Sequence, residues 1–307
     1  MTIPRRGLLF GFLATLAVGL PALGDDKDKV RILILDGQNN HNWVSMTPIL
    51  REALEQTGRF TVDVATSPPK GSKAAQWDQF SPEFSKYDAV VNNYNGERWP
   101  SRVEKALEAY VAEGGGLVNV HAANNAFEGW PEYNKMIGLG WRDNKFGDRV
   151  TIDDDGKVVR TPKGEGLGAG HGPQHRFKVA IRESSHPVTQ GMPAEWLHAK
   201  DELYQGQRGP AENMEILATA FASKDYNGSG TNEPMIWVIP YGKGRTLTTV
   251  MGHTMNDETV AVRCIGFQTV LVRGAEWAAT GKVTLPIPAT FPTAAQESLV
   301  AEKAKTQ

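Results

Sequence analysis

The chain has 307 residues, and its 33 lysines and arginines against 35 aspartates and glutamates give a formal net charge of −2. This balance gives no electrostatic reason to expect nucleic acid or an anionic membrane surface as a partner. A hydrophobic content of 40% with 32 glycines is typical of a globular protein with many tight turns, and the length fits one large domain or two small ones.

Residues 1–24 have the features of an export signal that is cleaved from the mature protein. Arg5 and Arg6 precede an uncharged apolar stretch at 7–20, and Ala22-Leu23-Gly24 supplies a small-x-small cleavage site. Because the apolar stretch is short for a membrane span, we expect a periplasmic or extracellular protein without stable membrane insertion. The arginine pair leaves both general-secretory (Sec) and twin-arginine export open.

Strand-like and helix-like segments alternate through the first 120 residues. Thr47-Pro48 supplies an N-cap and a first-turn proline for one helix, and Ser101 with Glu104 forms a capping box for another. Strands that alternate with helices in this way predict an α/β fold with a doubly wound, mostly parallel sheet and right-handed crossovers. The predicted strands are the apolar runs 30–35, 60–65, 87–92 and 117–120.

The regular alternation of strands and helices ends after residue 125, and we interpret the middle of the chain as an elaboration of the sheet. Residues 127–134 are predicted to form an aromatic loop, and 164–170 a glycine-rich flexible lid or pocket loop. The acidic run at 153–156 lacks the spaced oxygen ligands of a calcium loop, so it predicts the turn of a hairpin. The remaining predicted strands include 177–181, 215–221, 235–239 and 245–250.

The C-terminal part is predicted to be one helix followed by a tail. Asn256 or Asp257 caps this helix, and Cys264 is a small core residue on its apolar face. Cys264 is the only cysteine of the chain, so we expect no intramolecular disulfide. No interdomain linker is evident, which predicts a single domain over residues 25–288 and a frayed polar tail over 289–307.

Three histidines follow three different predicted strands: His41, His121 and His253. The carboxyl ends of parallel strands meet at one edge of a sheet, where ligands bind, so we expect these imidazoles on a shared rim. A histidine there exchanges protons near neutral pH or binds a divalent metal. Asp201 and Glu202 are the carboxylates expected to join them. The competing interpretation is structural: histidines satisfied by backbone groups, and an acidic pair in a salt-bridged turn.

At these residues the chain resembles the ThuA-like (trehalose-utilisation) family, whose fold is related to the class I glutamine amidotransferases. The resemblance covers nearly all of the mature chain and implies a flavodoxin-like α/β domain. The motifs that carry it run from Gly114-Gly115-Gly116 to His121-Ala122-Ala123, and continue with Gly129-Trp130, His171-Gly172, His186-Pro187-Val188-Thr189-Gln190-Gly191-Met192-Pro193, Asp201-Glu202-Leu203-Tyr204, Gly242-Lys243-Gly244-Arg245, Gly252-His253 and Trp277-Ala278-Ala279-Thr280-Gly281.

The resemblance implies carbohydrate metabolism, with family members linked to disaccharides and to 3-keto derivatives that partner dehydrogenases make. In the related amidotransferases the strand equivalent to 117–120 leads to a nucleophilic cysteine, whereas here it leads to His121 and Ala122. Without a thiolate no glutamyl thioester forms, so glutaminase activity is not expected. The expected function is an isomerase, lyase or hydrolase that uses acid–base catalysis on a disaccharide or its 3-keto form.

Specific roles are expected for the rim residues. His121 and His253 are the candidate base and acid, and Glu202, with Asp201 beside it, orients a histidine or takes the proton. Whether a divalent metal is bound stays open at this point. If one is, it would polarise the substrate carbonyl, and the candidate ligands are His41, His121, His253 and Glu202.

Substrate contacts are expected from aromatic and amide side chains near the same rim. His171 and His175 have ligand-like spacing, but Gly172 and Pro173 between them exclude a helix, so at least one is expected to be a loop hydrogen-bond partner. The candidates for contact with the sugar are His41, Asn39, Asn42, Trp43, Asn92, Asn124, Trp130, His171 and Tyr204.

A second hypothesis is a non-catalytic sugar-binding or scaffold module that works beside a sugar dehydrogenase. Such a module would use the aromatic and asparagine side chains but would have no need of three histidines on one rim. Under both hypotheses the expected partner is a small-molecule sugar and not a nucleic acid, and assembly into a homo-oligomer is left open.

Overall fold

The structure is a computed structural model that describes residues 29–256 and 258–301. The predicted export signal at 1–24, the alternative helix cap Asp257 and residues 302–307 of the predicted tail lie outside the described part. Among the residues that are described, no helix has the length and apolar character needed to cross a membrane.

The first half of the chain alternates strands and helices. Two short 3-10 helices, Phe84–Lys86 and His121–Asn125, interrupt the pattern. The regular elements are β1 (Val30–Asp36), α1 (Trp43–Glu55), β2 (Phe60–Thr66), α2 (Ala74–Gln79), β3 (Ala89–Asn92), α3 (Ser101–Ala112), β4 (Gly116–Val120) and α4 (Pro131–Ile137).

The second half is rich in strands and ends in one long helix. A further 3-10 helix spans Lys224–Tyr226. The regular elements are β5 (Arg149–Ile152), β6 (Val158–Thr161), β7 (Gly170–His171), β8 (His175–Ile181), β9 (Glu195–Asp201), β10 (Tyr204–Gln205), β11 (Glu215–Phe221), β12 (Asn232–Tyr241), β13 (Gly244–Thr249) and α5 (Ile265–Thr280).

The central sheet has the strand order β2-β1-β3-β4-β13-β12-β11-β8-β9. The strands from β2 to β13 pair in parallel, and those from β12 to β9 extend the sheet with antiparallel pairs. The parallel part has the 2-1-3-4-5 order of flavodoxin-like folds, with β13 as its fifth strand. The predicted α/β class with a wound central sheet is confirmed, and the antiparallel extension forms much of its elaboration.

Both faces of β1, β3 and β4 are buried, which is why these strands are mostly apolar. Successive residues of β1 alternate between two hydrophobic clusters, with Ile32 and Ile34 in one and Leu33 and Leu35 in the other. Helices α1 and α5 cover the first cluster, and α3 and α4 cover the second. Burying a side chain of this size stabilises the fold by about 2 kcal/mol.

Helix α1 begins earlier than the Thr47-Pro48 signal predicted. Its N-cap is Asn42, whose Oδ1 accepts a hydrogen bond from the Ser45 amide at 3.2 Å, and Pro48 lies inside the helix. The side-chain cap satisfies one of the free amides of the first turn, so it fixes the start of the helix immediately after His41.

The capping predictions for the other two helices were also wrong. Helix α3 begins after Pro100, and Glu104 forms an ion pair with Arg98 at 2.7 Å instead of a capping box with Ser101. Helix α5 begins at Ile265, with buried Cys264 as its N-cap residue. Asn256 has a left-handed backbone with a φ of 53° and lies in the segment that leads away from β13.

Two of the predicted loops are well defined. Asp153 to Gly156 form the turn between β5 and β6, which confirms the hairpin. The glycine-rich segment 164–170 is held by the buried guanidinium of Arg208, which donates to the carbonyl oxygens of Glu165 and Leu167. It is therefore anchored to the domain and does not have the free character predicted for a lid.

The described part of the tail is docked rather than frayed. The amide of Val300 donates to the Arg263 carbonyl, and the amide of Ile265 donates to the Ser298 carbonyl, each at 2.9 Å. The ring of Phe291 packs against Trp196 with a centroid separation of 5.4 Å. These contacts explain why residues 289–301 are ordered despite their polar composition.

Candidate active site

Four side chains from distant parts of the chain meet at the carboxyl-terminal edge of the parallel strands. His41 follows β1, His121 follows β4, His253 follows β13 and Glu202 follows β9. Their metal-ligating atoms all lie within 4.8 Å of one another, and all four side chains are buried. We call these four residues the histidine–glutamate cluster. The sequence predicted the shared rim, and the structure places the three imidazoles together as expected.

The Glu202 carboxylate is at the centre of the cluster. Its Oε1 lies 3.1 Å from His253 Nδ1 and 3.4 Å from His171 Nε2. Its Oε2 lies 3.6 Å from both His41 Nε2 and His121 Nε2. Four imidazoles therefore surround one carboxylate, and His171 is the member of this group that faces solvent, with its side chain 34% exposed.

Hydrogen bonds on the far side of each imidazole fix how the rings point. His121 Nδ1 lies 2.7 Å from the Val250 carbonyl oxygen, and His41 Nδ1 lies 3.3 Å from Asn39 Oδ1. Both Nε2 atoms then face the interior of the cluster and approach each other to 3.4 Å. The backbone of His121 has a φ of 48°, in the left-handed region, immediately after the end of β4.

Asp201 binds backbone amides at the cluster residues and next to them, and it is not one of the four members of the cluster. Its carboxylate accepts hydrogen bonds from the amides of Glu202, Gly252 and His253 at 2.7, 2.7 and 3.1 Å. It also lies 2.7 Å from His198 Nε2, and both side chains are fully buried. Both carboxylate oxygens of Asp201 are used in these contacts, which gives the residue a positioning role, and its catalytic role stays a prediction.

His198 was not predicted from the sequence as part of the site. Its spacing of three residues from Asp201 on one strand was the available signal, but that spacing alone does not reveal a contact. Burial alone would lower the pKa of His198, but the neighbouring Cys264 and Asp201 outweigh this effect and raise it to about 10. The Asp201 carboxylate is thus held by a buried cationic partner.

The environments of the cluster residues shift their pKa values in different directions. Burial lowers the pKa of His41 to about 4, so this imidazole is held neutral. Burial also opposes protonation of His121, but the carboxylates of Glu202 and Asp201 outweigh it and raise the His121 pKa. Burial opposes ionisation of Glu202, yet its interactions with His121, His253 and His41 bring the Glu202 pKa well below its usual range.

An aromatic wall of Trp141, Tyr204 and His171 lies beside the cluster. The Tyr204 hydroxyl is 3.3 Å from His121 Nε2, and its ring contacts Trp141 edge to face at 4.7 Å. The ring of His171 is nearly parallel to that of Tyr204 at 6.3 Å. The sequence pointed to Tyr204 and His171, but it missed Trp141, which lies in an irregular stretch between α4 and β5.

Several predicted substrate contacts are used for other purposes. Trp130 is 2% exposed and packs in the second hydrophobic cluster with Tyr133, away from the histidines. Asn124 and Asn92 are fully buried, and their amides bond to Gln207 and to Tyr133 respectively. Trp130 therefore serves core packing, and Asn124 and Asn92 serve internal hydrogen bonds, so their predicted contact with a sugar is corrected.

Other predicted substrate-contact residues lie near the rim, and some of their hydrogen-bonding groups already contact other parts of the protein. Asn42 caps α1 and donates to the Asn256 carbonyl at 2.5 Å. Trp43 is half-buried and begins α1. His175 stacks on Tyr226 with ring centroids 3.7 Å apart, so it is the loop histidine of its pair, while His171 joins the cluster.

The comparisons with known proteins agree with this architecture. A family model described as ThuA, trehalose utilisation, matches residues 31–278. A ThuA-like protein of known structure from Parabacteroides merdae ATCC 43184 is 43% identical with a TM-score of 0.84, over 89% of this chain and 98% of that one. Another from Bacteroides uniformis ATCC 8492 shares the fold at 19% identity and a TM-score of 0.55, over 89% of this chain and 97% of that one. No curated protein matches the chain. The chain therefore belongs to the ThuA (trehalose utilisation) family.

Proposed function

We propose that this member of the ThuA family is an enzyme of carbohydrate metabolism that acts on a disaccharide or its 3-keto derivative, as an isomerase, lyase or hydrolase. The observation that carries the proposal is the packing of four imidazoles around the Glu202 carboxylate. Burying so many titratable groups in one place is costly, and a protein that only bound a sugar would gain little from it. Enzymes gather such groups because proton transfer needs them.

A 3-keto sugar is a suitable substrate because its carbonyl acidifies the neighbouring C–H bonds. A base removes the proton at C2, and the electron pair forms an enolate. In a lyase the C1–O glycosidic bond then breaks, a C1–C2 double bond forms, and an acid returns a proton to the leaving oxygen. A hydrolase completes the reaction by adding water across that double bond, with the hydroxyl at C1 and the proton at C2. Protonation of the enolate at a different position gives isomerisation instead. Both reactions need one base, one acid and a group that stabilises the enolate oxygen.

The cluster contains groups suited to both proton transfers. His41 and His121 are 3.4 Å apart at their Nε2 atoms, and their pKa values are shifted in opposite directions. In the protein without a bound metal ion, two titratable groups whose pKa values differ in this way divide the tasks of base and acid between them. His171, at the exposed end, connects the buried groups to solvent.

Glutaminase chemistry is not part of the proposal. The strand that would carry a nucleophilic cysteine in a class I amidotransferase leads here to His121 and Ala122. Cys264 is the only thiol of the chain, it is fully buried at the start of α5, and its charged neighbour is His198. A measurable glutaminase rate would contradict this reasoning.

The experiment is a screen of the protein against disaccharides, each offered unoxidised and with a C3 ketone. Reactions in D2O followed by NMR report both deuterium exchange at C2 and loss of the glycosidic bond. The test variant is His121→Asn, because asparagine tolerates the left-handed backbone at this position, and the matched control is His175→Asn. We expect turnover that the first variant loses and the second retains. Saturable binding without exchange or cleavage would instead indicate a non-catalytic sugar-binding module.

We further propose that the protein is exported through the signal at residues 1–24 and acts beside a sugar dehydrogenase that supplies the ketone. Replacing both Arg5 and Arg6 by lysine separates the two routes, because twin-arginine export requires the pair whereas Sec export tolerates lysine. Full-length protein that stays inside the cell with its leader uncleaved would contradict the export proposal.

A further inference from the structure

We propose that the histidine–glutamate cluster is the binding site of one divalent transition-metal ion. The ligands are His41 Nε2, His121 Nε2, His253 Nδ1 and a carboxylate oxygen of Glu202. Only the catalytic role assigned to the ion rests on the proposed function. The binding itself rests on the geometry of the cluster and is testable without any sugar.

The first argument is the spacing of the donor atoms. A zinc ion with ligands at 2.0–2.1 Å in a tetrahedron separates neighbouring donors by about 3.3 Å. The Nε2 atoms of His41 and His121 are 3.4 Å apart. Glu202 oxygens lie 3.1 Å from His253 Nδ1 and 3.6 Å from each of the two Nε2 atoms. Each of these separations is within about 0.3 Å of that edge, and the four donor atoms all lie within 4.8 Å of one another. A bound ion would draw the more distant donors closer and select one oxygen of Glu202.

The second argument is the direction of the nitrogen lone pairs. The Nδ1–H groups of His121 and His41 donate outward to the Val250 carbonyl and to Asn39 Oδ1. In the neutral rings this tautomer leaves two Nε2 lone pairs facing each other, which is repulsive unless a metal ion or a proton lies between them. Outer hydrogen bonds of this kind are the usual way in which proteins orient metal-binding imidazoles.

One buried nitrogen of the cluster has no hydrogen-bond partner. His253 Nδ1 is buried and makes no hydrogen bond, although Glu202 Oε1 lies only 3.1 Å away. On the other side of the ring, Nε2 lies 2.9 Å from the side-chain amide of Gln174. The atom at 2.9 Å is the amide nitrogen of Gln174. With this amide turned over, so that its oxygen accepts from His253 Nε2–H, the Nδ1 lone pair is free and points into the cluster. A cation there would satisfy both Nδ1 and the carboxylate.

The donor set also indicates the class of metal. Three neutral imidazoles and one carboxylate are suited to zinc, iron, cobalt, nickel or manganese, whereas calcium and magnesium prefer all-oxygen sites. One carboxylate against a dication leaves a net charge of +1, which would attract the oxygen of a ketone or an enolate. The ion would thus stabilise the charge that develops on the substrate.

A bound ion changes which side chains are free to move protons. The nitrogens of His41, His121 and His253 that face the cluster would be occupied by the metal. His171 and Tyr204 contact members of the cluster at 3.4 and 3.3 Å but lie outside the donor set. His171 is the exposed imidazole that the ion would leave free, and the buried Tyr204 hydroxyl would hold its contact with His121.

The test is a binding titration of chelator-treated protein with Zn²⁺, Co²⁺ or Mn²⁺ alone, measured by calorimetry in the absence of sugar. We expect one site for each chain and, with Co²⁺, the visible absorption of a four-coordinate nitrogen-rich centre. His253→Ala and Glu202→Gln are expected to weaken binding at least about 100-fold. The matched control His175→Ala should bind as the parent does, because His175 stacks on Tyr226 outside the cluster.

The outcomes separate this inference from the proposed function. Absence of a site tighter than millimolar, or equal affinity in the parent and both cluster variants, would overturn the metal inference whatever the activity. If one variant does not fold, as judged by circular dichroism, the other provides the comparison. Tight binding that leaves every disaccharide unchanged would support the metal site and contradict the proposed enzyme.

Discussion

The Nε2 atoms of His41 and His121 lie 3.4 Å apart although the two residues are separated by 80 positions in the chain. One follows β1 and the other follows β4, two strands that are both neighbours of β3 in the sheet. Parallel pairing brings the ends of such strands to one edge, and outward hydrogen bonds from each Nδ1 turn the rings inward. This relationship is the core of the candidate site.

We predict that His171→Ala removes most of the turnover while leaving metal affinity within a few-fold of the parent. His171 contacts Glu202 and faces solvent, but its Nε2 is not in the donor set. Loss of a general acid or base lowers kcat by about 100-fold or more. The measurement is steady-state kinetics beside a Co²⁺ titration. Unchanged kcat would show that proton transfer depends on another group.

Asp201→Asn should destabilise the protein by about 3 kcal/mol, because it leaves buried His198 without its counter-charge. The same change should weaken metal binding about tenfold, since Asp201 holds the amides of Glu202 and His253. Urea unfolding and calorimetry measure the two effects. Asp155→Asn, at an exposed turn, is the control and should alter stability by less than about 0.5 kcal/mol. A destabilisation no larger than in that control would contradict the positioning role.

Stability should depend on pH through His198. Its pKa is raised to about 10 in the folded protein, above the ordinary value of 6.5, so folding favours the protonated ring. This contribution is complete below the unfolded pKa and is lost as the pH rises toward the folded pKa. Between about pH 6 and about pH 9 the parent should therefore lose about 1 kcal/mol or more relative to His198→Gln. If the free energy of unfolding changes with pH by the same amount in the parent and in His198→Gln, the ion pair between His198 and Asp201 is ruled out.

Trp141 and Trp130 should respond differently to replacement by leucine. Trp141 forms the aromatic wall with Tyr204, so its loss should raise the KM for a sugar substrate about tenfold or more, a loss of about 1.4 kcal/mol. Trp130 is buried against Tyr133, and its loss should cost about 3 kcal/mol of stability with little change in KM. The reverse assignment of the two effects would show that the sugar binds elsewhere.

The elements that hold the site were largely predictable from local sequence patterns. Strands β1, β3 and β4 are apolar runs because both of their faces are buried, whereas the edge strand β2 alternates apolar and polar residues because one of its faces is exposed. The histidines that follow them could be assigned to one rim because the parallel order fixes where strand ends lie.

What could not be predicted depends on contacts between distant segments. Glu202 reaches the histidines because Asp201 binds the amides of Gly252 and His253, a link across 51 and 52 positions that no local pattern reveals. Trp130 and Trp141 both follow glycine-containing, irregular stretches. Only their burial in the structure shows that Trp130 belongs to the core and Trp141 to the aromatic wall. The N-caps predicted for α1 and α5 were wrong because contacts between distant segments set where those helices begin.

The most direct test of the account is an anomalous-scattering map from crystals grown with Zn²⁺, with data collected on both sides of the zinc absorption edge. The account predicts one strong peak at about 2.0–2.1 Å from His41 Nε2, His121 Nε2 and His253 Nδ1, with a Glu202 oxygen as the fourth ligand. A map without a peak among these side chains, or with the imidazoles turned away from one another, would contradict it.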